Sequence, residues 1–350
     1  MRYSILGSSG ENVSRVCLGT MTWGEQNSQH DANQQLDYAL SRGINFIDTA
    51  EVYSVPNKPE TYGATETYIG NWLAENLGRR SEIFLASKVA GRGRPHVRGG
   101  GPITGEAVIA AVDNSLRRLQ TDYIDLYQLH WPNRPHANFG RHHVGDIAFT
   151  PVDVAAERSN FLEVLQALQS CQQAGKIRYC GLSDESPWGV TQYLKLSETH
   201  SLPRMVSLQN EFSLLQTRDW PYMIEQCVME NIAYLPWSPL AGGSLSGKYL
   251  NGARPEGSRW TLPELRGVFR DTENVRTAVS AYKAIAEEIG ITSAQLALAW
   301  VNQVDGVTST IIGATSLTQL KDNIDAFDIE LSADTLRAIK KVVTQIPVAF

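Results

Sequence analysis

The chain is poor in several things. Its 350 residues include only 4 cysteines, Cys17, Cys171, Cys180 and Cys227, with no Cys-x-x-Cys pair and no histidine near any of them. That excludes a disulfide scaffold and a thiolate metal site, and fits reduced thiols in a cytoplasmic protein. Charged residues make up 19%, and the net charge of −6 leaves no basic excess for nucleic acid or an anionic membrane. No apolar run approaches a membrane span, and Met1–Gly7 lacks the apolar core of a signal peptide. The first strand-like run leads into Gly19-Thr20-Met21-Thr22-Trp23-Gly24, which is no Gly-x-Gly-x-x-Gly. A doubly wound open sheet therefore takes second place. Low-complexity segments and shifts in composition are missing too, which points to one domain over residues 1–350. His136, His142 and His143 cluster without a cysteine or paired carboxylate at ligand spacing, so no metal site is expected.

What is present is a rhythm. Residues 3–15 alternate weakly around Gly7-Ser8-Ser9-Gly10 and predict a small hairpin capping the fold. Short apolar runs then recur: Val16–Gly19, Ile44–Ile47, Ile83–Ser87, Ile124–Leu129, Lys176–Ser183, Met205–Gln209, Ile232–Ser238 and Thr310–Gly313. Helical spacing follows them, for instance over Asp31–Arg42, from about Thr65 (a plausible N-cap) to Leu77, over Thr104–Leu119 and from about Asn160 to Ala174. Eight strands alternating with eight helices predict a single (β/α)₈ barrel. Long loops follow the fourth strand, as a polar insertion over Pro132–Glu157, and the seventh.

Four titratable residues stand at or just past strand ends, where such barrels place their chemistry. Asp48 ends the second strand, Tyr53 lies on the loop beyond it, Lys88 ends the third and His130 follows the fourth. A phenol with an unperturbed pKa of ~10 is a reluctant donor at neutral pH. A nearby ammonium should favour the phenolate and bring that pKa down. A carboxylate would hold the ammonium in place, and a histidine can hydrogen-bond the oxygen being protonated. Together they form a device for protonating an oxyanion as it forms, suited to carbonyl reduction once a hydride is supplied. A Schiff-base lyase using Lys88 is disfavoured, because Asp48 would keep the amine protonated. Trp23 and Trp131 follow strand ends and are expected to be walls of a substrate pocket.

Asp48, Tyr53, Lys88 and His130, in that order, resemble the catalytic tetrad of the aldo-keto reductases. The stretch Gly43–Ala50 with Tyr53, Gly175–Ser183, and Trp237-Ser238-Pro239-Leu240 resemble signatures of the same family. Gly19–Thr22, Tyr62–Tyr68 and Gly247–Ala253 are similar to its potassium-channel β-subunit-like branch. The resemblance covers essentially the whole chain. It implies NADPH lying extended across the barrel mouth and a small carbonyl compound as substrate, with no nucleic-acid or membrane partner.

Carried onto this sequence, the resemblance places Thr20 and Asp48 near the nicotinamide ribose and Ser183 and Gln209 at the carboxamide. Trp237 would stack on the nicotinamide. Ser238, Pro239, Leu240 and Lys248 would follow the pyrophosphate. Gly313, Thr315, Gln319, Asp322 and Asn323 would meet the adenosine phosphate, with Arg259 reaching it from the loop after strand seven. Asp184 stands where the family commonly has Asn after the strand-five serine. The branch also admits a different class of function, a redox-sensing or accessory subunit that holds NADPH and turns over little.

Overall fold

The computed structural model describes residues 1–262, 267–347 and 349–350. Eight parallel strands make the central sheet: β3 (Val16–Gly19), β4 (Phe46–Asp48), β5 (Phe84–Val89), β6 (Ile124–Leu129), β7 (Ile177–Ser183), β8 (Met205–Gln209), β9 (Ala233–Tyr234) and β10 (Thr310–Ile312). Their order is β10-β3-β4-β5-β6-β7-β8-β9. The two ends of the sheet meet through backbone bonds from Thr308 N–H to Tyr234 O (3.0 Å) and from Ile311 N–H to Pro236 O (2.9 Å). The sheet is thus a (β/α)₈ barrel.

Side chains alternate across each strand, so one set faces the axis and the other the helices. The lower axis is apolar, filled by Cys17, Phe46, Phe84, Ala86, Leu126, Val206 and Ala233. Phe46 and Phe84 meet edge to face at 5.4 Å. The bottom is stopped by the predicted hairpin, β1 (Tyr3–Ile5) with β2 (Asn12–Ser14), which adds Leu6 and Val13 to that cluster. Gly7 fits here at φ 50° against Val206 and Ala233, where a Cβ would strike the backbone. Closed below, the barrel is open to chemistry only at its C-terminal rim.

The outer layer packs helices α1 (Gln29–Ser41), α2 (Ala64–Glu75), α3 (Gly105–Leu119), α4 (Val154–Gln173), α5 (Pro187–His200), α6 (Tyr222–Met229), α8 (Ser293–Gln303) and α9 (Leu317–Asp325) around the strands. Two further helices, α7 (Glu273–Glu288) and α10 (Ala333–Gln345), exceed the eight that the rhythm predicts. They bury Val275, Val279, Ile339 and Val342 in a separate cluster beside the barrel.

Two boundaries differ from the sequence reading. Thr65 is not the cap of α2. That place is taken by Gly63, while the Thr65 hydroxyl is buried against that of Thr49 at 2.8 Å. Helix α4 begins at Val154, because Asp153 caps it by accepting from the Ala155 and Ala156 N–H groups. The irregular insertion after β6 therefore ends near residue 153. It folds over the mouth, where Phe139 sits 5.8 Å from Trp237, ring centre to ring centre.

Candidate active site

The strand register builds the floor of the rim. Gly19 pairs with Asp48, Asp48 with Ala86, Lys88 with Gln128, and Ser183 with Gln209. Lys88 shares the inward face of β5 with Ala86, two residues earlier. The apolar axis is thus topped by a polar layer of Asp48, Lys88, Gln128 and Gln209. Lys88 Nζ donates to Asp48 Oδ2 at 2.6 Å and to the Thr49 carbonyl at 2.8 Å. Asp48 Oδ1 accepts from Gln209 Nε2 (2.9 Å) and Gln128 Nε2 (3.2 Å). Thr20 gives both its N–H and its hydroxyl to the Asp48 carbonyl. The carboxylate is therefore fixed at both oxygens and its backbone is pinned from the neighbouring strand.

Tyr53 lies over this layer, its ring centre 5.1 Å from Lys88 Nζ and 5.5 Å from the His130 ring. Burial raises the Tyr53 pKa, Lys88 pulls it back down, and Asp48 and Asp184 push it up again. The net direction is upward, opposite to the sequence-based expectation, because loss of water outweighs the ammonium. The phenol is a proton donor held in its protonated form. Burial lowers the Lys88 pKa, but Asp48, with Tyr53 and Cys17 adding to it, more than reverses that, so the amine stays an ammonium. This is the wrong state for Schiff-base chemistry. Burial, then Lys88 and Arg94, keep His130 well below the usual imidazole range. It is neutral, with a buried Nδ1 that has no protein partner.

Some residues of this arrangement escape a motif-based reading. Gln128 is one, although its place two residues before His130 on the same strand face is a usable signal. Glu51 is another: fully buried, it takes two charge-assisted bonds from Arg98 (2.6 and 2.7 Å) and one from the Ala90 N–H (2.5 Å). This clamps the loop after β5 to the loop that carries Tyr53. Arg98 comes from a Gly/Arg-rich stretch, residues 91–101, where nothing local marks it as a partner.

Of the two expected pocket walls, one is displaced. Trp23 is fully buried in the layer between barrel and helices, its indole N–H donating to Gln35 Oε1 on α1 at 3.2 Å. It is a core residue, because the chain turns back after Thr22 and drives the indole inward. Trp131 stays at the mouth, 4.7 Å from the His130 ring and bonded through its N–H to the Arg92 carbonyl.

The aldo/keto reductase family model matches residues 15–344. The chain belongs to the aldo/keto reductase family. It is 46% identical over 345 residues to Protein tas of Escherichia coli (strain K12), covering 98% of this chain and 97% of that one. The uncharacterized oxidoreductase YrpG of Bacillus subtilis (strain 168) is 31% identical over 350 residues, with 98% and 96% covered. A probable voltage-gated potassium channel subunit beta of Arabidopsis thaliana is 30% identical over 338 residues, with 94% and 92% covered.

In this aldo/keto reductase the remaining predicted residues fall at the ends of β7 and β8 and in the segments after β9 and β10. Ser183, at the end of β7, is buried beside Gln209. The Gln209 amide nitrogen is committed to Asp48 and Gln128, which leaves its carbonyl oxygen for another partner. The Trp237 indole N–H donates to Asp184 Oδ1 at 3.0 Å. Beyond it, Ser238, Ala241, Gly242 and Gly243 all take positive φ, with Pro239 and Leu240 between them. The Ala241 and Gly243 N–H groups close the turn onto the Ser238 and Leu240 carbonyls, and left-handed turns of this kind are a known setting for anions. Lys248 lies across Gly243, where a Cβ would clash with its Cε. Arg259 is half-buried in the following loop, with a guanidinium nitrogen 4.0 Å from Met21 Sδ.

At the next corner Thr315 and Gln319 are exposed at the start of α9, with Ser316 as its N-cap. Asp322 is exposed on the same helix, whereas Asn323 is buried and donates to the Gly313 carbonyl at 3.3 Å. Asn27, in the loop after β3, and Gln35, on α1, hold this corner by donating to the Thr315 and Ala314 carbonyls. Among the described residues no three His, Cys, Asp or Glu side chains gather as a metal ion would need, and no helix is long and apolar enough to cross a membrane.

Proposed function

We propose that this aldo/keto reductase is an NADPH-dependent reductase of aldehydes or ketones, acting in the cytoplasm as a single-domain enzyme. The observation that carries the proposal is the Asp48–Lys88 pair seated directly beneath the Tyr53 phenol, in a barrel closed at its other end. The rim suits a dinucleotide: a left-handed turn crossed by Lys248, the exposed N-terminus of α9, and a Gln209 carbonyl oxygen without a partner among the described residues. Ser183 and Gln209 would meet the carboxamide and Trp237 the ring. Thr20 and Asp48 would support the ribose side. Ser238, Pro239, Leu240 and Lys248 would hold the pyrophosphate. Gly313, Thr315, Gln319, Asp322 and Arg259 would take the adenosine phosphate, with Asn323 bracing that corner. A bound NADPH supplies the hydride.

The protein's own part is the proton. Tyr53 gives its phenolic proton to the carbonyl oxygen as negative charge gathers there. The Lys88 ammonium then faces the resulting phenolate, and Asp48 keeps that ammonium charged and stationary. Neutral His130 orients the carbonyl by a hydrogen bond, and Trp131 covers the opening from the side. Replacing Tyr53 by Phe should lower kcat by roughly 10²–10⁴-fold while NADPH binding persists, since only the proton donor is lost. Full carbonyl-reducing activity in Y53F would show the assignment wrong.

One observation favours a second reading, an accessory subunit that binds NADPH and turns over little. The insertion ending at residue 153 already lies over the mouth, with Phe139 against Trp237. Steady-state turnover on a panel of aldehydes, set beside NADPH affinity, separates the two.

A further inference from the structure

Buried carboxylates in this protein are met by cations. Asp48 has Lys88, Glu51 has Arg98, Glu66 has Arg118, Asp125 has Arg80 and Arg178, Glu185 has Arg134, and Glu211 has Arg270. Asp184, half-buried at the rim, departs from this pattern, as does Asp219, which accepts from the Asn210 amide and the Tyr234 hydroxyl. No cation among the described residues lies within ion-pair reach of Asp184, and its side-chain partner is the neutral indole N–H of Trp237. Its direction is fixed: the backbone holds φ 50° and its N–H is bonded to the Gln209 carbonyl at 3.0 Å. The carboxyl therefore stands at the rim between Ser183, its chain neighbour, and Trp237.

We propose that Asp184 is a specificity residue whose ionisation sets the balance between reduced and oxidised nicotinamide at this rim, its carboxylate form favouring the cationic oxidised ring. The proposal rests on the reading of the mouth as a nicotinamide site.

The groups facing Asp184 come from several elements. Lys88 on β5 acts to keep it ionised, but is already matched by Asp48. Glu211, past β8, and Asp219, ahead of α6, oppose its ionisation, and Tyr53 feels its charge from the loop after β4. Burial acts first and most strongly, the Trp237 N–H opposes it by favouring the carboxylate, and the net effect raises the Asp184 pKa to about 8. At neutral pH the acid carries its proton, and no negative charge stands beside Trp237. Above that point a carboxylate does. A dihydronicotinamide is uncharged at the ring and its oxidised form carries a positive charge there, so only the oxidised form gains from the change.

The test is the affinity of NADPH and NADP⁺ between pH 6 and 9.5, measured by fluorescence titration or calorimetry on the wild-type protein and on D184N. Both nucleotides carry the same 2′-phosphate, so its titration cancels in the ratio of the two dissociation constants. In the wild type the ratio Kd(NADP⁺)/Kd(NADPH) should fall roughly tenfold as pH rises past the Asp184 pKa, and in D184N it should stay flat. A second readout needs no nucleotide. The tryptophan emission difference between wild type and W237F should titrate near pH 8, and the same difference taken in the D184N background should not. A flat ratio in wild type, with both nucleotides bound, overturns the inference and leaves the cofactor reading standing. A ratio that still falls in D184N overturns it as well. If the emission titrates and neither nucleotide binds at any pH, the cofactor reading fails and takes this inference with it.

Discussion

Lys88 Nζ sits 2.6 Å from Asp48 Oδ2 and 5.1 Å from the centre of the Tyr53 ring, with both charged side chains essentially shut off from water. Within this trio the lysine is the hinge: it is held by the acid below and aims its charge at the phenol above. Removing one partner of a buried ion pair strands the other charge. K88M should therefore lower stability by about 3–5 kcal/mol, and the double variant K88M/D48N by clearly less. Chemical denaturation of the two variants and D48N completes the cycle. Additive losses would mean that the pair is not coupled.

Glu51 offers a case away from the reacting atoms. E51Q keeps the shape but weakens the bonds from Arg98 and Ala90, at a cost of about 1.5–3 kcal/mol. The loop holding Arg98 and the loop holding Tyr53 should then loosen together. Hydrogen exchange over residues 50–54 and 90–98 should rise, with unchanged exchange in the strands.

Trp23 and Trp131 should behave as opposites. W23A opens a cavity in a packed layer and should cost about 3–5 kcal/mol, seen as a fall in Tm. W131A removes a partly exposed ring at the mouth. It should leave Tm nearly unchanged and alter KM for bulky carbonyl compounds. A specificity change from W23F at constant Tm would contradict this division.

Asp184 should also leave a mark on stability. Its folded pKa of about 8 lies above the ordinary 3.8 of the unfolded chain. The native state then binds more protons than the unfolded one across that window, so this residue's contribution to stability falls as pH rises from about 4 to about 8. D184N keeps an oxygen for the Trp237 N–H and has no charge to bury. It should match the wild type near pH 4 and exceed it at pH 7 by up to about 4 kcal/mol. Urea titrations at the two pH values measure the difference directly.

The barrel was legible because its signal is local. Each strand is a short apolar run, each helix shows its own spacing, and Asp48, Lys88 and His130 stand at strand ends whatever the rest of the chain does. A hydrogen-bond partner tens of residues away leaves no local trace. Gln128 and Gln209 meet at Asp48 only because parallel strands fall into register, and Arg98 finds Glu51 only because two loops cross. Trp23 reads as a pocket wall from its place after a strand, and one turn of chain sends it into the core instead.

By itself the sequence determined the fold and the identity of the four residues at the rim, since both follow from spacing along the chain. Their protonation states belong to the tertiary structure. Tyr53 has its pKa raised, His130 is neutral and Asp184 holds its proton near neutrality because packing removes water from each, and burial cannot be read from neighbours in sequence.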